Sequence, residues 1–366
     1  MTTTATPPTT PPPTRPSSTT PRLGRGAGLS QALASYTIAV LLAFAVSGIV
    51  IAVLGHSPVD AFRAILTTSF KSSFGLVETV HKWVPLLLLA LAFTIPLAAG
   101  KYNIGGEGQL LVGATASAAA GILLKDSPMV VLLPLVLLVG VLAGSVYAWV
   151  AAWLMDRFGV NEILSTVLLN FVSFGIVDYV ASEVWSDPAA GHPTTVPIGE
   201  GGLLPLVGRP AMHTGVLLAV LVALATVVVM RRTVPGYELR AVGTNPRAAA
   251  VHGVRIGRVA VGSLVVGGAL AGFAGAIEVA GVHGKLIEGM QSNYLLLGII
   301  IGLIARGNVL AVPFVAFGIA VLEVGSSAMQ RAADVPSEMV LIVEALILLF
   351  LLFSDVVGAR LRRSSR

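Results

Sequence analysis

Long apolar runs alternate with short polar breaks along almost the whole chain. About 20 apolar residues suffice to cross the hydrocarbon core of a bilayer as a helix, so the pattern predicts about ten membrane-spanning helices. The runs lie at 33–54, 83–100, 108–124, 129–154, 160–182, 213–230, 259–282, 292–305, 309–329 and 338–353. The predicted fold class is an all-α, polytopic integral membrane protein.

Composition supports this fold class and narrows the chemistry. The chain is 55% hydrophobic and only 11% charged, whereas soluble domains carry about 25% charged residues. It contains 40 glycines, which suit closely packed membrane helices. It has no cysteine, its histidines lack metal-ligand spacing, and it has no GxxxxGK[ST] phosphate loop. We therefore expect no metal and no cofactor.

The longest polar break inside the apolar sequence is 231–258, which holds six arginines and a single acid, Glu238. Short loops rich in Lys and Arg stay on the cytoplasmic side of a membrane. With about ten spans, this placement puts both termini in the cytoplasm, and most of the 23 Lys and Arg residues then also lie inside. The arginines are scattered over membrane flanks and form no contiguous basic face, which argues against nucleic-acid binding.

Three parts of the chain follow from this pattern. Residues 1–29 are rich in Thr and Pro and predict a disordered cytoplasmic tail. Residues 30–355 form the transmembrane domain, and 356–366 form a basic cytoplasmic tail. Within the domain, the Pro- and Gly-rich segment 183–212 is predicted to be external. It is either a surface for an external partner or a solvated connector. Residues 56–82 are a second long external segment.

The segment KYNIGGEGQ, Lys101–Gln109, places polar groups and glycines between two apolar runs. Glycine permits close backbone approach, and polar side chains near hydrocarbon need partners or a water-filled cavity. One interpretation is a broken-helix element beside a solute path, with Asn103, Gly105, Glu107 and Gln109 at the path. The alternative is a cytoplasmic turn whose polar groups contact bulk water.

A similar arrangement occurs in the second half, in GKLIEGMQSNYLLLG at 284–298. Internal repeats are common in transporters, and the loose match predicts two weakly similar halves. Two polar residues within predicted spans, Asn170 and Glu278, are further candidates for the solute path. Alternatively, Glu278 only forms an ion pair with Lys285 or Arg331 near the end of its span.

The arginine-rich break also contains the signals of a short helix, Asn245–Gly253. Asn245 is a favourable N-cap, Pro246 suits the first helical position, and Gly253 can end the helix with a positive φ. Such a helix is too short to be stable alone. One alternative is that it packs on the membrane surface or on the spans of its own chain. The other is that it docks a cytoplasmic partner.

The motifs resemble a known family. The run PGYELRAVGTNPRAAAVHGVRIGR and the apolar run after it resemble the cytoplasmic loop and next span of permeases from bacterial ABC importers. The branch concerned serves branched-chain amino acids, simple sugars and nucleosides, and the NIGGEGQ stretch is similar to that of its nucleoside and sugar members. The resemblance covers roughly 83–353. Family members often have an aromatic residue where this chain has Val251-His252.

The resemblance implies a channel-forming subunit that is not itself an enzyme, closest to nucleoside-type permeases. Its expected partners are an ATP-binding cassette subunit that hydrolyses ATP, a second permease subunit and an external lipoprotein that binds the solute. Its expected location is the bacterial plasma membrane. The short helix would be the coupling helix that docks on the ATPase, and the positions that match the coupling pattern are Glu238, Arg240, Gly243, Asn245, Pro246, Ala249 and Gly253.

Two other functions remain open from the residues alone. The chain could be a self-contained secondary transporter that uses its intramembrane acids, although no mid-membrane acid–base pattern indicates a proton relay. It could also be a membrane scaffold without transport activity.

Overall fold

The computed structural model describes residues 41–42, 44–53, 55–71 and 73–332, together with 342, 345–346 and 349–350. The predicted tails 1–29 and 356–366 lie outside the described residues, as does most of the predicted span 338–353. The described part of the chain is predominantly helical. Its α-helices are α1 Phe44–Val53, α2 Pro58–Lys71, α3 Ser73–Ala98, α4 Gly106–Leu123, α5 Met129–Phe158, α6 Glu162–Tyr179, α7 Gly215–Arg232, α8 Val234–Thr244, α9 Pro246–Val251, α10 Ile256–Ile277, α11 Tyr294–Ile304 and α12 Val312–Ala332.

Shorter elements complete the described chain. The π-helical turns Val180–Val184 and Glu278–His283 extend α6 and α10. A 3-10 turn spans Glu200–Gly202, and β1 (Leu206–Val207) pairs antiparallel with β2 (Met212–His213).

Six helical segments in the described chain are long and apolar enough to cross a membrane. They are Ser73–Ala98, Met129–Phe158, Glu162–Val184, Gly215–Arg232, Ile256–His283 and Val312–Gln330. A polytopic membrane protein is therefore confirmed, while the count of ten spans and the two similar halves stay predictions. The 11 residues of α11 extend over only about 16 Å, about half the thickness of a bilayer core.

The core of the bundle lies where α3 is surrounded by α10, α11 and α12. Every residue from Leu86 to Leu91 in α3 is fully buried. Beside this core, α5 and α10 approach each other through glycines: a Cβ atom added to Gly272 would lie 2.9 Å from the Cα atom of Gly144. Small residues let helix backbones pack this closely in a membrane, where van der Waals contact drives association.

The segment 56–82, expected to be a long connection, is helical and consists of α2 and the start of α3. The backbone amide of Asp60 donates to the Ser57 hydroxyl at the start of α2, which satisfies a free donor of the first turn. The helix packs on α12, where the Ser69 hydroxyl donates to the Val321 carbonyl at 3.3 Å.

The segment 183–212 is not a continuous helix, as its prolines and glycines predicted, and it packs on the bundle. The amide of Thr195 donates to the Leu286 carbonyl at 3.0 Å, and that of Ile198 donates to Gly284 at 2.9 Å. Lys285 Nζ lies 3.8 Å from an oxygen of Asp187. This segment is therefore more ordered than a simple solvated connector.

The bundle has two distinguishable ends. Gly243 in α8 contacts the Ala98 carbonyl at the end of α3, so α8 and α9 lie at the end that we call the loop end. The first residues of α3 lie about 39 Å away along its axis, at the end that we call the far end. The π-helical turn Glu278–His283 also lies at the far end, because α10 begins beside α9 and runs away from it.

Candidate functional site

The segment after α3 turns back into the bundle instead of continuing into solvent. The Asn103 side-chain amide donates to the Ala92 carbonyl at 3.3 Å, although Ala92 lies six residues before the end of α3, about 9 Å along its axis. Asn103 is 1% exposed. A Cβ on Gly106, the first residue of α4, would lie 3.1 Å from a methyl carbon of Leu89. The alternative of a turn whose polar groups all contact bulk water is therefore wrong.

Two predicted path residues, Asn103 and Gln109, hydrogen-bond to each other. Asn103 Nδ2 donates to Gln109 Oε1 at 2.9 Å, and Gln109 Nε2 donates to Asn103 Oδ1 at 2.8 Å. The backbone amide of Gly105 also donates to Asn103 Oδ1 at 3.2 Å, and a Cβ there would lie 3.0 Å from Gln109 Nε2. These amides support the shape of the re-entrant backbone.

Asn170, the predicted path residue on α6, holds the same segment from the other side. Its Nδ2 donates to the Ile104 carbonyl at 2.9 Å, and its Oδ1 accepts the backbone amide of Gly108 at 2.8 Å. Gly108 has no room for a side chain, because a Cβ would lie 2.9 Å from Asn170 Oδ1. The structure thus brings together residues separated by more than 60 positions.

Glu107 connects the start of α4 to the start of α11. Its carboxylate accepts a hydrogen bond from the backbone amide of Leu295, in the first turn of α11, where free amides and the helix dipole favour negative charge. From this meeting point the two helices run in opposite directions. Gly121 of α4 packs on Ile198 near the far end, whereas Gly302 of α11 packs on Phe93 toward the loop end. The two stretches that the sequence suggested as counterparts are therefore in contact.

A cavity of about 570 Å³ lies at the far end, between the start of α3, the π-helical turn after α10 and the start of α11. On its floor, Glu278 is 2% exposed, and its carboxylate lies 3.3 Å from His283 Nε2. The expected ion pair of Glu278 with Lys285 is wrong, because Lys285 points to Asp187. The side chain of Arg331 lies outside the described residues.

At the loop end, the predicted short helix is confirmed as α9. The Asn245 side chain accepts the backbone amide of Ala248 at 3.1 Å, and Pro246 occupies the first turn. Gly253 has a φ of +84°, and its amide closes the helix by donating to the Ala250 carbonyl. The buried Ala249 fixes one face of α9 to the protein.

The helix α8, which precedes α9 in the chain, was not predicted from the sequence. It carries the matching positions Glu238, Arg240 and Gly243, and Gly243 is the residue that contacts Ala98. A groove of about 380 Å³ runs along α8 and α9. Large apolar side chains beside it are exposed, namely Val234, Tyr237 and Val251, the last at 85%.

In the described ranges no group of three or more His, Asp or Glu side chains could hold a metal ion.

Comparisons with known proteins agree with this geometry. A family model described as "branched-chain amino acid transport system / permease component" matches residues 75–352, a range that contains α4, α8, α9 and α11. No solved structure matches the chain.

Several curated proteins are similar over most of their length. A glucose ABC transporter permease protein of Haloferax volcanii is 36% identical over 331 residues, which cover 87% of this chain and 86% of the relative. A guanosine ABC transporter permease protein of Bacillus subtilis is 30% identical, with coverage of 86% and 91%. A nucleoside ABC transporter permease protein of Lactococcus lactis is 24% identical, with coverage of 89% and 92%. With its buried re-entrant segment and capped loop helix, the chain therefore belongs to this permease family and is an ABC transporter permease of the sugar and nucleoside type.

Proposed function

We propose that the chain is the channel-forming subunit of an ATP-driven importer for nucleosides or related simple sugars, and that it couples ATP hydrolysis in a partner subunit to solute movement. The observation that carries the proposal is α9. It is a capped helix of six residues at one end of the bundle, with one face fixed by Ala249 and exposed apolar side chains beside it. A partner surface would bury those side chains.

The packing around α8 and α9 suggests how motion of the ATPase reaches the solute path. Gly243 contacts the last turn of α3, and α10 begins at Ile256 directly after α9. Both α3 and α10 extend to the far-end cavity, which they line with Glu78 and with Glu278 in the turn that extends α10. A displacement of the docked helix would therefore shift two rigid helices that reach the other end of the bundle.

The solute class rests on the relatives and on the buried polar groups. The named solutes of three relatives are glucose, guanosine and nucleosides, all of which are neutral and hydroxylated. Asn103, Gln109 and Asn170 satisfy one another or the backbone. The middle of the bundle thus presents little uncompensated charge, which suits a neutral solute.

Further partners belong to the same proposal. A second, different permease subunit would complete the channel, and an external lipoprotein would deliver the solute. Exposed Trp149, Trp153 and Phe158 on α5 face either that second subunit or lipid. The complex would lie in the bacterial plasma membrane, with both termini of this chain cytoplasmic.

The experiment is ATP-dependent uptake of radiolabelled guanosine, uridine and glucose into proteoliposomes that contain the complete complex. The test variants are Asn245→Asp with Ala249→Glu, and Ala250→Glu alone on the exposed face of α9. Both variants should lose ATP-dependent uptake, and the ATPase subunit should dissociate from both during purification. The control is Gly191→Glu, which adds the same charge at a position with open space.

Undiminished uptake by the α9 variants would contradict docking of the ATPase at this helix. Uptake driven by a proton gradient without any ATPase subunit would instead support a secondary transporter.

A further inference from the structure

We propose that the far-end cavity is the outer binding site of the permease for its solute, and that it accepts a neutral, polyhydroxylated solute while excluding a phosphorylated one. This inference rests on the proposed function, because it identifies where the channel first holds the solute. It is argued from the residues of the cavity, which are Phe74, Val77, Glu78, His81, Lys82, Glu278, Val282, His283, Ile287, Glu288, Gly289, Met290, Ser292 and Tyr294.

The cavity has a buried floor and an exposed mouth. Glu278, Met290 and Tyr294 on the floor are each at most 4% exposed, whereas Phe74 at the mouth is 76% exposed. Glu288 is also exposed. With a volume of about 570 Å³, the cavity falls within the range of sites that enclose small organic ligands. A solute arriving from the far end would meet Glu288 first and Glu278 last.

The floor is held in a fixed geometry before any solute arrives. His283 Nε2 lies 3.3 Å from Glu278 Oε2, which fixes the position of the carboxylate. Lys82 Nζ lies 4.8 Å from the centre of the Tyr294 ring, close enough for a cation–π interaction that keeps the ammonium group at the cavity wall. Preorganised polar groups of this kind reduce the ordering cost of binding.

The charges of the lining select the chemical class of the solute. Three carboxyl groups, from Glu78, Glu278 and Glu288, face the cavity together with one ammonium group, that of Lys82. Carboxylates accept hydrogen bonds from hydroxyl groups, and such charge-assisted bonds are stronger than neutral ones. The same carboxylates repel a phosphate group, since like charges raise the energy of a bound anion in a partly desolvated site.

A further polar atom lacks a protein partner at this cavity. His81 Nε2 is buried and forms no hydrogen bond with the described residues. The His81 ring lines the cavity, and its centre lies 4.2 Å from that of the His213 ring, with the two planes tilted by 33°. Buried polar atoms are almost always satisfied. Because this nitrogen is shielded, a solute hydroxyl group would complete its hydrogen bonding only after a rotation of the His81 ring.

The position of the cavity connects it to the broken helices. Tyr294 on its floor is the first residue of α11, and the next residue, Leu295, donates its amide to Glu107. The solute would therefore rest directly above the point where α4 and α11 begin.

The test measures guanosine uptake by the complete complex in proteoliposomes, with the binding protein saturating. Glu278→Gln and Glu288→Gln should each lower the uptake rate at least about tenfold, as expected for the loss of a charge-assisted hydrogen bond. Glu278→Asp should retain part of the rate. Co-purification of the ATPase subunit with each variant at the wild-type level shows that the complex has assembled. The control Asp126→Asn removes an exposed carboxylate that does not line the cavity.

A second measurement tests the solute class directly. Radiolabelled guanosine is bound at equilibrium to the purified complex without its binding protein, and unlabelled guanosine or guanosine 5′-monophosphate is added as competitor. With the wild-type complex, only unlabelled guanosine should displace the radiolabelled guanosine. Uptake by both glutamine variants at the wild-type rate would overturn the site, and equal competition by the monophosphate would overturn its selectivity. If wild type shows no ATP-dependent uptake of guanosine, uridine or glucose, the proposed function itself is contradicted.

Discussion

Asn103 and Gln109 form two reciprocal hydrogen bonds, of 2.9 and 2.8 Å, and are 1% and 2% exposed. Each amide supplies both the donor and the acceptor that the other needs. Since the pair lies where the chain re-enters the bundle, it determines whether the backbone between α3 and α4 can stay inside.

Removing both halves of this pair should destabilise the protein by less than the sum of the two single removals. Asn103→Leu or Gln109→Leu leaves a buried amide unsatisfied, which costs about 1–3 kcal/mol. The double variant no longer leaves one side-chain amide facing an apolar side chain, although the Gly105 amide still loses its acceptor. Its loss in melting temperature in detergent should therefore be smaller than the sum of the two single losses. Strictly additive effects would show that the two side chains do not interact.

The contact between α5 and α10 should tolerate no added atom. Gly272→Ala places a Cβ 2.9 Å from the Cα of Gly144, and overpacking of this kind costs about 1–3 kcal/mol. Gly262→Ala in the same helix has open space and should be neutral or stabilising by up to about 1 kcal/mol. Thermal unfolding of the purified variants provides the comparison, and equal melting temperatures would contradict the packing.

The cap of α9 should be required for coupling. Asn245→Ala removes the acceptor for the Ala248 amide and should destabilise the helix by about 0.5–2 kcal/mol. We expect ATP-dependent uptake to fall severalfold, whereas Asn245→Ser, which keeps a capping oxygen, should stay near wild type. The ratio of solute transported to ATP hydrolysed is the quantity to measure. Equal loss in both variants would mean that the side chain acts by contact and not by capping.

Glu107 should act through its charge at the start of α11. Glu107→Gln keeps a hydrogen-bond acceptor for the Leu295 amide but loses the interaction with the helix dipole, worth about 0.3–2 kcal/mol. Glu107→Ala loses both, so stability and uptake should decrease in the order wild type, Gln, Ala. Hydrogen exchange of the first amides of α11 reports the effect locally, and unchanged exchange in the Ala variant would contradict the contact.

Local signals predicted α9 well because capping depends on neighbouring residues. Asn245 and Pro246 act in the first turn and Gly253 acts just after the last residue, so the residue types at the two ends alone indicate the helix. The helix α8 was missed because Gly236 and Gly243 disfavour a helix by propensity. Both are needed for tertiary contact, Gly236 with Met230 and Gly243 with Ala98.

The sequence suggested that the re-entrant segment enters the bundle, but it also allowed a cytoplasmic turn. Besides the Asn103–Gln109 pair, its burial depends on the Ala92 carbonyl, which accepts from Asn103, and on Asn170, which binds the Ile104 carbonyl. Neither Ala92 nor Asn170 lies within the motif. Glu278 illustrates the same limit: two cations, Lys285 and Arg331, looked suitable by position, yet the π-helical turn places His283 against its carboxylate.

The contact of Gly243 with Ala98 has a mechanical consequence. Only four residues separate Ala98 from Asn103, whose side-chain amide is buried. One of them, Lys101, lies 3.5 Å from Glu162 of α6. Under the proposed coupling, a displacement of α8 would reach the residues that hold the mid-bundle helix starts through this short backbone segment. Such a transmission from the surface to the centre of the protein would need no long chain of intermediates.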